Sequence, residues 1–144
     1  MMRVKVSRRL LNHFRAEGKR VYPREAFAVL IGKLAGDRAI ITDLFIPEGQ
    51  ERYASNTQVK VPRAWWEQAN EFAKADGLIV LGDIHTHNET SKFTHDTAPS
   101  EADWDMESGP LHGICSIRRH PTGRMVARIR FWPADALVET RITE

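Results

Sequence analysis

The sequence predicts an α/β domain of the mixed α+β kind, one mixed sheet flanked by helices, and three observations predict it. An apolar run at Leu78–Ile84 has the length and composition of one largely buried strand. Two other stretches, following Ser7 and Pro62, carry apolar residues at helical spacing. Two pairs of apolar runs are each joined by turn residues, Gly36-Asp37 in one and His120-Pro121-Thr122-Gly123 in the other.

In chain order, Ser7 is suited to cap a helix whose stripe is Leu10, Leu11 and Phe14, with Gly18 as its stop. After Tyr22-Pro23, Ala26–Ile31 reads as a strand and Ile40–Ile46 as its antiparallel partner, a hairpin. Residues Pro47–Thr57 are polar and turn-rich and read as a loop, and Val59–Val61 as one short strand. Pro62 suits the first position of a helix, where its missing N–H is not needed, and Trp65, Trp66, Ala69, Phe72 and Ala73 carry that helix to a stop at Gly77. The helix delivers the chain to the Leu78–Ile84 strand. A further helix opens at Ser100, after Pro99, and Leu111–Ile117 and Arg124–Trp132 read as strands. The last dozen residues carry weak signals. With no repeat, low-complexity tract or linker, residues 1–144 read as a single domain.

Composition narrows the function classes. Apolar residues at 42% and charged residues at 28% are ordinary for a globular chain. A formal charge of +2 is too small to argue for nucleic acid as a partner, and the pairs Arg8-Arg9 and Arg118-Arg119 read as solvated surface. Trp65, Trp66 and Trp132 read as core or edge packing and not as a base-stacking platform. Cys115 lies in an alternating apolar stretch, so a lone thiol there reads as a small core residue in a reducing compartment. The amino terminus has no apolar stretch of signal-peptide length and no window approaches a membrane span, so a cytoplasmic protein without a membrane partner is expected.

The chemistry concentrates in His85-Thr86-His87, at the end of the buried strand, and in Ser100-Glu101-Ala102-Asp103. Alternate side chains share one face of a strand, so the two imidazoles converge. Ser100 and Asp103, three apart in a first helical turn, project from one side. Two imidazoles and one carboxylate can hold one zinc ion with its fourth tetrahedral position open, whereas a closed structural site would use cysteines, of which this chain has one. Each half has a plainer reading: Ser-x-x-Asp also makes a capping box, and a histidine pair can be solvated or hydrogen-bonded. The combination favours the metal.

With these residues in place, the chain resembles the JAB1/MPN/Mov34 metalloproteases, also called the JAMM family, in a minimal prokaryotic-type form. The family signature is a distant glutamate, then His-x-His, then Ser-x-x-Asp, matched here by Glu25, His85, His87, Ser100 and Asp103. Glu25 lies in Tyr22–Gly32, which looks like the family's first-strand segment, a Pro-x-Glu before an apolar run ending in glycine. From the residues alone Glu25 reads as exposed; the resemblance reverses that. It spans about Ser7 to Trp132 and implies the MPN/JAB, cytidine-deaminase-like fold: a curved, mixed, mostly antiparallel sheet with helices around it.

The resemblance further implies a zinc-dependent peptidase or isopeptidase. Its one zinc ion sits on His85, His87 and Asp103, with Glu25 as general base and Ser100 as oxyanion donor. Its substrate is the C-terminal tail of a ubiquitin-like or sulfur-carrier protein, bound by strand addition. Asp83, on the face of the two histidines, is placed to orient an imidazole, and Trp104 to support the helix that bears Asp103. Two departures stand out. Asn88 replaces the family's proline after the second histidine, and residues 88–99 make a longer loop than the usual signature, one that holds His95 and Asp96 and borders the substrate channel. Two alternatives remain: a ligand-free scaffold of the same family, or a PHP-type phosphoesterase, for which His112, His120 and Asp135 follow Asp103 as further ligands.

Overall fold

A computed structural model describes residues 2–53, 61–88, 109–133 and 138–143. Ser100, Asp103, Trp104, His95, Asp96 and Asp135 lie outside them. The elements are β1 (Met2–Ser7), α1 (Arg8–Val21), β2 (Phe27–Ala35), β3 (Arg38–Phe45), a 3₁₀ turn at Gln50–Tyr53, α2 (Arg63–Ala75), β4 (Ile79–Asn88), β5 (Leu111–Arg119), β6 (Met125–Pro133) and β7 (Val138–Thr143). The strands form one sheet in the order β6-β5-β4-β2-β3-β1-β7.

The mixed sheet flanked by helices is as expected, and its middle is the part the sequence makes visible. Among β2 to β6 the pairings are mostly antiparallel, with β4 and β5 the one parallel pair. Both strands missing from the sequence reading, β1 and β7, add parallel pairings at the far edge, β1 on β3 and β7 on β1. Register shifts at Leu30/Ile31 and Ile31/Gly32 in β2 bend the sheet there, since a bulged strand kinks and twists more than a regular one.

Alternation in β2 splits the core. Ala26, Ala28 and Leu30 face the larger cluster, with Leu10, Leu11 and Phe14 of α1, Leu81 and Ile84 of β4, and Cys115 and Phe131. Phe27, Val29 and Ile31 face the other side and pack on Trp65, Ala69 and Ala73 of α2. Each large side chain buried this way stabilises the fold by about 1.5–3 kcal/mol relative to exposure.

Two of the three foreseen helices lie within the described residues and form, with corrected ends; the one expected to open at Ser100 lies outside them. Ser7 caps α1 as expected, its Oγ accepting from the Leu10 N–H at 3.2 Å. Gly18 does not stop α1, which continues to Val21. It is buried where the helix meets the sheet, and a Cβ there would stand 2.7 Å from Cδ1 of Ile117 and 3.0 Å from Cγ2 of Thr86. The glycine lets the helix axis approach β4 and β5. Pro62 stands one position earlier than expected, as the capping residue of α2. Val61 belongs to no strand, while Val59 and Lys60 lie outside the described residues. No helix among the described residues is long and apolar enough to cross a membrane.

Candidate active site

The histidine pair is strand-borne, as expected, and the strand extends beyond the apolar run that ends at Ile84. β4 runs on through Asn88, held on one side by β2 as far as the Phe27–His85 pair and on the other by β5 as far as Asn88–Ile117. His85 and His87 are therefore strand residues, each only 4% exposed.

Register places the chemistry in rows across the α2-facing side of the sheet. Val29, Asp83, His112 and Trp132 form one row, and Phe27, His85, Ile114 and Arg130 the next. Ser116 and Arg128 extend a third row outward from His87. The antiparallel alignment continues one residue beyond the ladder, because the Thr86 N–H donates to the Ala26 carbonyl at 3.0 Å and the Ala26 N–H donates to Thr86 Oγ1 at 2.8 Å. Glu25 directly precedes this tie, and His87 directly follows it. Glu25 is 5% exposed, so the burial implied by the family resemblance holds against its ordinary reading as a surface residue.

Asn88, the departure from the family proline, closes this end of the site. Its Nδ2 donates to the Pro23 carbonyl at 2.8 Å, tying the end of β4 to the segment that carries Glu25. Gln50 closes the neighbouring gap: β3 ends at Phe45, and the Phe27 N–H donates instead to Gln50 Oε1 at 2.6 Å. Phe27, next to His85, stacks on Trp65 at 6.0 Å and meets Trp66 edge-on at 5.5 Å, an apolar wall beside the imidazoles. Trp65 is buried and Trp66 and Trp132 are half-buried, in keeping with packing roles.

The imidazoles are oriented by Asp83, which is fully buried. Its Oδ2 lies 3.0 Å from His85 Nδ1 and its Oδ1 lies 2.8 Å from His112 Nδ1. With Asp83 ionised, a carboxylate that only accepts, each Nδ1 donates to it, and a neutral His85 then offers a lone pair at Nε2. That Nε2 stands 3.3 Å from Nε2 of His87. Two nitrogens bound to one tetrahedral zinc at about 2.0–2.1 Å would be separated by about 3.3–3.4 Å. The spacing and the donor set fit a zinc ion.

Of the five expected site residues, His85 and His87 meet at their Nε2 atoms, and Glu25 is buried one residue before the Ala26–Thr86 tie. Ser100 and Asp103 lie outside the described residues, and among those described no group of three His, Cys, Asp or Glu side chains is arranged to hold a metal. His112, weighed only as a ligand in another enzyme class, instead joins Asp83. Its place is legible once β4 and β5 are aligned, which no turn in the sequence does. His120 is exposed in the β5–β6 turn, its Nδ1 bonded to Thr122 Oγ1 at 3.0 Å.

Comparison with known proteins identifies the family. Residues 7–135 match the family described as prokaryotic homologs of the JAB domain. The chain belongs to that family. Two solved structures are similar to this JAB domain. One is a solution structure of a protein from Desulfitobacterium hafniense, 17% identical, with a TM-score of 0.65, covering 96% of this chain and 93% of that one. The other is a crystal structure of a JAB1/MPN domain protein from Archaeoglobus fulgidus, 20% identical, with a TM-score of 0.57, covering 97% of this chain and 99% of that one. At these identities the likeness is one of fold. No curated protein matches the sequence.

Proposed function

We propose that this JAB domain is a zinc-dependent peptidase or isopeptidase that cuts after the C-terminal tail of a ubiquitin-like or sulfur-carrier protein. The observation that carries the reading is the 3.3 Å spacing of the buried His85 and His87 Nε2 atoms, with a buried Glu25 in the segment tied to that strand. Family membership supports it, since JAB domains include metalloproteases. His85, His87 and Asp103 would hold the ion. When bound, zinc supplies Lewis acidity toward a carbonyl oxygen and makes water easier to deprotonate.

The chain's own residues do the rest. Glu25 takes a proton from the attacking water and returns it to the nitrogen of the departing amine, a contribution of about 10²–10⁴-fold. Ser100 hydrogen-bonds the developing oxyanion; losing such a donor costs about 2.7–4 kcal/mol in other hydrolases. The Phe27, Trp65 and Trp66 wall keeps water from one side of the imidazoles. An extended tail fits such a site by strand addition.

The test sets zinc-loaded wild type and Glu25→Gln against a panel of ubiquitin-like proteins whose Gly-Gly tails are extended by a peptide or joined to lysine. Wild type is expected to cut at least one of them after the tail. The variant should keep its zinc and lose about 10²–10⁴-fold in turnover. If folded, zinc-loaded protein cuts none of the panel, the substrate class is wrong; equal turnover in the variant removes Glu25 from the chemistry.

A further inference from the structure

We infer that Asp83 and His112 form a positioning pair for the candidate metal centre: His112 holds the Asp83 carboxylate, and the carboxylate fixes His85 in the tautomer that offers Nε2 to the ion. The inference rests on the zinc reading above and deepens it by two residues that the family signature does not contain.

The geometry is specific. Asp83 is directly opposite His112 in the parallel β4–β5 ladder and two residues before His85 on its own strand, so its two oxygens reach two different rings. All three side chains are buried, at 0% exposure for Asp83 and 4% and 3% for His85 and His112. A buried carboxylate is costly unless N–H donors surround it. With the His112 donor in place, Oδ1 is satisfied and the carboxylate plane is fixed, which leaves Oδ2 aimed at His85 Nδ1. Without that donor the carboxylate can rotate to seek another, and the His85 ring loses the partner that sets its proton. A carboxylate behind a ligating imidazole fixes ring orientation and strengthens it as a ligand, and removing such a partner commonly weakens metal affinity about 10–100-fold.

Three measurements test this. In the first, ¹⁵N-histidine NMR of metal-free wild type reads the tautomers, and both His85 and His112 are expected to carry the proton on Nδ1. In the second, zinc competition against a chelator compares His112→Leu with wild type, and a weakening of about 10–100-fold is expected. In the third, His112→Asn, whose Nδ2 takes nearly the place of the imidazole Nδ1, is expected to recover most of the lost affinity. A merely structural role for His112 would not be rescued by that donor.

A His85 ring protonated at Nε2 in the metal-free protein would overturn the inference, and this arm needs no variant to fold. Equal zinc affinity in wild type and His112→Leu, or equal weakening in the Leu and Asn variants, overturns it too. So does a wild-type protein that takes up no zinc. Zinc bound tightly and weakened as described, with no tail cleaved, leaves the pair standing and sinks the proposed substrate alone.

Discussion

Thr86 and Ala26 are joined by two hydrogen bonds, one from each backbone N–H: Thr86 donates to the Ala26 carbonyl at 3.0 Å, and Ala26 donates to Thr86 Oγ1 at 2.8 Å. Thr86 stands between the two histidines and Ala26 follows Glu25, so this double tie sets the spacing between the glutamate segment and the imidazoles. Thr86→Val keeps the shape and removes the acceptor, leaving a buried N–H unpaired. A loss of about 1–3 kcal/mol is expected, read as a lower urea midpoint at unchanged slope. An unchanged midpoint would show that the Ala26 N–H finds another acceptor.

Asn88 makes the second tie, from Nδ2 to the Pro23 carbonyl. Asn88→Ala should leave zinc affinity near that of wild type, because the histidines are held by Asp83 and by the ladders, and should lower turnover through misplacement of Glu25. Displacements of about 1 Å in a reacting group can cost 10²-fold, which sets the upper bound. Parallel metal titration and single-turnover assays check this, and loss of zinc together with activity would refute it.

Gly82 has φ of 151°, and a Cβ there would lie 1.7 Å from the Leu111 carbonyl oxygen. The obstacle is backbone, which cannot swing aside as a side chain can. Gly82→Ala is expected to destabilise the fold by about 3 kcal/mol or more. It should also weaken zinc binding, since Asp83 and His112 are the next pair along the ladder. Thermal unfolding and chelator competition are the measurements, and a variant within about 0.5 kcal/mol of wild type would contradict the close approach.

Burial pushes the Cys115 thiol up to about 12, with Arg15 and Lys19 opposing weakly. The unfolded chain gives up this proton near 9, so between about pH 9 and 12 the unfolded state binds fewer protons than the folded state and stability falls as pH rises. Below that window the thiol is neutral in both states and contributes no slope. Cys115→Ala should therefore show a shallower decline in urea midpoint from pH 9 upward than wild type. Thiol reagents should label wild type at pH 8 only on unfolding. Fast labelling of the folded protein would show the thiol to be accessible.

What the sequence reveals follows from which signals are local. The α1 stripe, the β2–β3 hairpin and the β5–β6 pair are visible because helical period or a turn lies within the segment itself. β1 is a short strand in which only Val4 and Val6 alternate with polar neighbours, and its parallel partners lie far away in sequence, so no turn announces it. β7 is missed for the same reason. The Asp83–His112 contact needs the β4–β5 register, which is set across a long crossover. Glu25 is the sharpest case. Its residue type predicts exposure, and its burial follows from a strand 60 residues later whose Thr86 captures the neighbouring Ala26.

That separation has a consequence during synthesis. Glu25 leaves the ribosome well before β4 and β5, and at about 5–20 residues per second the interval to His112 is roughly 4–17 seconds. Until β5 arrives, Asp83 lacks the His112 donor and the central strand lacks one neighbour. A nascent chain thus carries the glutamate and both rings without the framework that aligns them, and the candidate site comes into being only as the sheet closes around it.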